Sequence, residues 1–281
     1  MLRRNFLLGS LPAAAMVTGM RGTAAAAPRF GHRQANMEVE PGPGVFELAR
    51  RIRGLSGVEL QVHFKGTTLW DRETLLGYRA AAERTGLAIP SVAGVWPAGG
   101  TLFDGAAEST LRKAIAAAQA LGASTILVAC FEQNCPRMDD ERSYAPVVAL
   151  LEKLSGAARD AGVVLGMETS NTPAEDRKLI DLVDSPAVGV YYDLDNCERY
   201  HKGLATPGVA LLGKRIRQVH MKNETRLLEE PGRVNWAEAV GALARAGYAG
   251  WFMFETAHSS AEQCVEATGR NIAFVTRLLG A

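Results

Sequence analysis

Several things are scarce or missing in this chain of 281 residues, and each omission removes a class of function. Net charge is nearly absent, at +1, and no run of like charges occurs, so the broad basic surface that a general nucleic-acid binder needs is missing. No glycine-rich phosphate loop follows the first strand-like segment; "GPG" at 42–44 is too short a signal, which argues against a dinucleotide-binding open sheet. No uninterrupted apolar run is long enough to span a bilayer, because the mildly apolar N-terminal stretch is broken by Gly9, Pro12 and Gly19. Cysteine is sparse: Cys130, Cys135, Cys197 and Cys264 are all there is, and none lies near the N-terminus where a lipid anchor would attach. Cys130 and Cys135 either pair in a loop or serve as small apolar residues. The remaining composition, 47% apolar and 22% charged, suits one sizeable globular core.

The N-terminus carries its own message. "MLRRNFLLGSLPAAAMVTGMRGTAAAAPRF" has a basic start, a short apolar middle and small residues at Ala24–Ala27, the layout of an export signal. Arg3-Arg4 followed by x-Phe-Leu resembles a twin-arginine signal, although Leu2 and Leu8 stand where Ser/Thr and Lys are usual. The expectation is a signal over residues 1–27, use of the twin-arginine export machinery, and a periplasmic or extracellular location without a membrane anchor. Cleavage near Ala26 leaves about 254 residues.

Beyond that point short apolar runs alternate with amphipathic helices. Strands are expected near 31–37, in "GVELQVH" (57–63), "AIPSVAG" (88–94), "STILVAC" (124–130), "VVLGME" (163–168), "VGVYYD" (188–193), "IRQVHM" (216–221) and "WFMFET" (251–256). Between them, "DRETLLGYRAAAERTG", "AESTLRKAIAAAQALG", "YAPVVALLEKLSGAARDAG" and "NWAEAVGALARAGYAG" space apolar residues by three and four, and several end in a capping glycine. Eight strand–helix units in a chain of this length predict an α/β fold, a single (β/α)8 TIM barrel over residues 28–281.

Chemistry in such a barrel sits at the C-terminal ends of the strands. Each of the last four strands ends in a polar residue: Glu168, Asp193, His220 and Glu255, at intervals of 25, 27 and 35 residues. Converging carboxylates repel one another unless a cation lies between them, and two Glu, one Asp and one His suit one divalent ion, Mn²⁺, Co²⁺, Mg²⁺ or Zn²⁺. Asp195 points the same way as Asp193 by strand alternation and competes with it.

The segments "GMETSN", "YYDLDN", "VHMKNETR", "PGRVNW" and "FMFET" resemble the sugar phosphate isomerase/epimerase family of xylose isomerase-like TIM barrels, which also contains the endonuclease IV branch. The resemblance covers essentially the whole chain after the signal. It implies that Glu168, Asp193, His220 and Glu255 hold the metal, that Glu168 and Glu255 are the catalytic bases, and that Arg226, six residues after the histidine, reaches the substrate. It also implies a sugar substrate and, by analogy only, a homo-oligomer. Two departures stand out: Asn196 where many relatives have histidine, and Asn235 where Asp is common. Asn196 can donate to a sugar hydroxyl but cannot titrate. His63, Lys222 and Trp96 are further candidates for substrate contact.

The activity implied is metal-dependent isomerisation or epimerisation of a sugar or ketosugar through an enediolate. Export favours an unphosphorylated substrate. A lyase or hydratase acting on 3-keto-glycosides would use the same site, and a non-catalytic exported barrel that binds a sugar or metal is the third reading. A three-metal nuclease site needs more histidines than His32, His63, His201, His220 and His258 supply.

Overall fold

The computed structural model describes residues 27–280. The expected export signal therefore lies outside the described residues, except for Ala27. Eight parallel strands close into a barrel: β1 (Arg29–Arg33), β2 (Gly57–Gln61), β5 (Ser91–Ala93), β6 (Thr125–Cys130), β7 (Val164–Thr169), β8 (Val188–Asp193), β9 (Ile216–Met221) and β10 (Trp251–Phe254). The remaining two, β3 (His63–Phe64) and β4 (Thr67–Thr68), form an antiparallel hairpin after β2. Around the barrel run α1 (Val45–Arg50), α2 (Arg72–Thr85), α3 (Ala107–Leu121), α4 (Glu141–Asp160), α5 (Pro173–Val183), α6 (Leu194–Tyr200), α7 (Ala205–Leu212), α8 (Trp236–Arg245) and α9 (Ala261–Leu279).

Local chemistry sets the helix boundaries. Asp71 caps α2 through its side chain and Gly86 ends it in the left-handed region; Gly122 and Gly280 end α3 and α9 in the same way. A full capping box between Thr172 and Glu175 starts α5. Asn235, which replaces the usual Asp, still accepts the Glu238 N–H and caps α8.

Four strands differ from expectation by two residues or more, and one of them, β10, stops at Phe254, two residues short of Thr256. β1 ends at Arg33 because the next residues turn into a 3-10 helix, and Gln34 is buried with its amide donating to Tyr78. β2 ends at Gln61, and the expected His63 belongs to the hairpin, whose turn puts Lys65 and Gly66 at positive φ. β5 starts only after Pro90, which has no N–H to give a sheet ladder.

Alternation along each strand divides the interior in two. Outward side chains such as Val58, Val128, Leu165, Val190 and Val219 pack with the helices in the large core. Inward ones, Ala93, Leu127, Tyr191 and Met253, fill the barrel lumen with Trp251 against them. Glycines make room for the bulky ones: a Cβ on Gly31 would meet Met253 at 2.5 Å, and one on Gly57 would meet Trp251 at 2.8 Å. The lumen is thus plugged from below, and polar inward residues are left for the rim.

Candidate active site

Glu168 is the penultimate residue of β7, Asp193 the last of β8, His220 the penultimate of β9, and Glu255 follows β10 directly. Sheet register sets Asp193 beside His220, and the Glu255 N–H donates to the Met221 carbonyl, which extends the β9–β10 ladder by one residue. One ligand atom from each of the four lies within 4.8 Å of all the others. His220 Nδ1 is 3.7 Å from Glu168 Oε1, 3.9 Å from Asp193 Oδ2 and 3.4 Å from Glu255 Oε2.

Beneath this cluster sits a buried network that sequence reasoning missed. Glu59, midway along β2, is fully buried with its Oε1 3.2 Å from His220 Nε2. Tyr191 and Ser91 donate their hydroxyls to its other oxygen, and the Gln218 amide donates to both hydroxyls at 2.8 and 2.7 Å. Strand alternation in "GVELQVH" turns Glu59 inward, but its mid-strand position sets it below the strand ends where barrel chemistry is expected.

The network decides the state of His220. An ionised carboxylate can only accept, so Nε2–H donates to Glu59 and Nδ1 is the atom turned toward three carboxylates, with no hydrogen-bond partner among the described residues. Burial disfavours the imidazolium, yet Glu59 and Glu168 outweigh burial and raise the His220 pKa. Burial also works against charge on Glu59, but His220 and Arg33 overcome it and hold that carboxyl at about 2. Two fixed cations enter: Lys222 Nζ lies 2.7 Å from Asp193 Oδ2 and 2.9 Å from Glu255 Oε2, and Arg33 pairs with Glu255 and approaches Glu59 at 3.7 Å. Four carboxylates against two cations leave a deficit that one divalent ion would balance. An imidazole nitrogen whose proton an ion can displace, grouped with three carboxylates, is a donor set such an ion fits.

Residues 46–277 match the xylose isomerase-like TIM barrel family. The chain belongs to that family. No curated protein matches the sequence. Among solved structures, a D-psicose 3-epimerase determined with D-fructose superposes with a TM-score of 0.73 at 17% identity, covering 90% of this chain and 100% of the other. The 3-keto-D-glucoside 4-epimerase of E. coli gives 0.74 at 17% identity, covering 89% and 99%. A xylose isomerase-like protein of Mycobacterium smegmatis in complex with magnesium gives 0.68 at 19% identity, covering 90% and 98%.

In this xylose isomerase-like barrel the other candidates fall into two groups. Asn196 and Lys222 join the cluster: the Asn196 amide donates to Glu168 Oε1 at 2.9 Å while its backbone N–H caps onto Asp193. Asp195 does not, because α6 begins after Asp193 and breaks the strand alternation; its carboxylate pairs with Arg233 at 3.2 Å. Arg226 also stays apart, in the loop after β9, donating to the Pro231 carbonyl at 2.6 Å and pairing with Glu224 at 3.1 Å. Trp96 is half-buried beyond the end of β5, its indole N–H on the Ala129 carbonyl at the end of β6. That path needs the positive φ of Gly94, where a Cβ would strike Gln61 at 2.6 Å. His63 stacks edge-on against Trp70, 4.4 Å between ring centres, and burial lowers its pKa.

Proposed function

We propose that this chain is a divalent-metal-dependent sugar isomerase or epimerase, with Glu168, Asp193, His220 and Glu255 as ligands and an unphosphorylated ketose or keto-glycoside as substrate. One observation carries the reading: a histidine nitrogen, left without a hydrogen-bond partner because Glu59 takes the Nε2–H, faces three carboxylates within 3.4–3.9 Å. When bound, the ion supplies Lewis-acid polarisation of a substrate carbonyl and so acidifies the adjacent C–H.

The chain's own residues do the proton work. Glu168 and Glu255 come from the two ends of the β7–β10 arc and flank the site, so one takes the proton from carbon and the other returns it. Return to the opposite face of the enediolate gives the epimer; return to the neighbouring carbon gives the isomer. Asn196 holds Glu168 Oε1, and Arg33 with Lys222 holds Glu255, which keeps both carboxylates oriented. Trp96 beyond β5 and His63 in the hairpin after β2 would contact the substrate from outside the cluster, with Arg226 in the loop after β9. The twin-arginine-like opening supports export and, with it, a sugar without phosphate.

The test combines metal analysis with solvent deuterium exchange. The protein loaded with Mn²⁺ or Co²⁺ is incubated in D₂O with free ketoses and with 3-keto-glycosides. Deuterium on a carbon next to the carbonyl, lost in Glu168→Gln together with an unchanged ligand fold, is the expected result. No exchange into any of these sugars by a metal-loaded protein refutes the enzyme reading, and cleavage of the glycosidic bond would redirect it to a lyase.

A further inference from the structure

The first and last staves, β1 and β10, meet at the seam that closes the barrel. His32 pairs in register with Phe254 on one side and Val58 on the other, both outward-facing core residues. Its ring therefore points out of the lumen toward α9, away from Arg33 and the four-ligand cluster. There it meets His258, from the loop after β10, and Cys264, on the first turn of α9. His32 Nε2 lies 3.2 Å from His258 Nε2 and 3.8 Å from Cys264 Sγ. All three are buried.

The protonation pattern is fixed at one end. His32 Nδ1 is 3.0 Å from the Arg33 carbonyl, which can only accept, so Nδ1 carries the hydrogen and Nε2 the lone pair. A backbone carbonyl on the far nitrogen is the support that metal-binding imidazoles commonly have. A simple His–His hydrogen bond would need His258 to protonate Nε2, and its buried Nδ1 then keeps a lone pair with no partner among the described residues. Tetrahedral zinc, with Zn–N of about 2.05 Å and Zn–S of about 2.3 Å, spaces two ring nitrogens by about 3.3 Å and a nitrogen and a sulfur by about 3.6 Å. The observed 3.2 and 3.8 Å need only small side-chain shifts to match.

We propose that His32, His258 and Cys264 form a second metal site, separate from the rim centre of three carboxylates and a histidine, that takes a borderline cation of the zinc class. One thiolate and two imidazoles are softer than the rim cluster, so the two sites differ in preference. Burial keeps both imidazoles neutral, with His32 at about 3 and His258 at about 4, the form that ligates. Burial pushes the Cys264 thiol up to about 12, so binding exchanges its proton for the metal and releases it to solvent. The ion would tie β1, the loop after β10 and the C-terminal helix together across the seam, a staple of the closed barrel.

Cobalt(II) is the probe, because a thiolate ligand gives a near-ultraviolet charge-transfer band that the thiolate-free rim cluster cannot give. The whole chain, stripped of metal, is titrated with Co²⁺ and then with Zn²⁺. The expected result is a thiolate band that Zn²⁺ bleaches, and that disappears with the loss of one bound ion per chain in Cys264→Ser. His258→Gln, at the edge of the cluster, gives the same loss should Cys264→Ser fail to fold. Glu168→Gln removes a different ion and leaves the band. Absence of the band in the Co²⁺-saturated protein, or its survival in Cys264→Ser or His258→Gln, overturns the proposal.

Discussion

Glu59→Gln is the most informative single change, because it alters charge and hydrogen-bond polarity at almost constant volume. In the native chain three donors converge on this carboxylate, His220 Nε2 at 3.2 Å, the Ser91 hydroxyl at 2.7 Å and the Tyr191 hydroxyl, and the Arg33 guanidinium approaches it as an ion pair at 3.7 Å. A carboxamide accepts through one end only, so its NH₂ must confront one of these donors, and Arg33 loses a partner in a buried setting. Losing one charge-assisted bond and leaving a donor unmet costs about 2–3 kcal/mol. For a barrel of this size that is roughly 5–10 °C in Tm, read by calorimetry on the metal-free protein. Without an obligate acceptor on Nε2, His220 no longer keeps Nδ1 turned toward the carboxylates as the ligating atom, and affinity for the rim ion should fall about 10–100-fold. Titration calorimetry with Mn²⁺ reads that loss. Tyr191→Phe, which removes a single donor, should cost about 1 kcal/mol and less than about 10-fold in affinity. A Glu59→Gln protein that melts lower but binds Mn²⁺ like the native chain would refute the argument that Glu59 sets the histidine's state.

Asn196→Ala removes the bond to Glu168 Oε1, and should slow deuterium exchange into substrate about 10-fold while metal content stays the same; equal loss of metal would mean that Asn196 only supports the ligand shell. Asp176 is buried on α5, accepts from Thr169 at 2.6 Å, and burial raises its pKa well above the usual carboxylate range. The folded chain therefore keeps this proton to higher pH than the unfolded chain, and the contribution to stability falls as pH rises between the two values. Asp176→Asn should gain in Tm over the native protein progressively as pH rises above the ordinary carboxylate range of about 4, and a difference independent of pH would contradict this assignment. Arg226→Ala breaks only half-exposed contacts within its loop, so stability should change by less than about 1 kcal/mol and metal content not at all; a substrate role would appear as a raised KM alone.

The strand–helix alternation, the eight staves and the four rim residues were all legible in the sequence, because each follows from local rules. Period-two apolar patterning writes a strand, three-and-four spacing writes a helix, and a polar residue at the end of "VVLGME" or "VGVYYD" stands out against its apolar run. Asp193 over Asp195 was legible only through the family motif: alternation treats them alike, and the physical reason that separates them is the onset of α6 after Asp193. Glu59 lies 161 residues from His220 in the chain, and nothing in either strand signals the other; barrel closure alone stacks their side chains. The same holds for His32 and Cys264, brought together because the first strand and the last helix meet at the seam. Local sequence thus determined which elements form and which polar residues reach the rim. Closure of the sheet decided their partners, and with them the tautomer of His220, since hydrogen bonds between distant strands depend on the register and shear of the whole barrel.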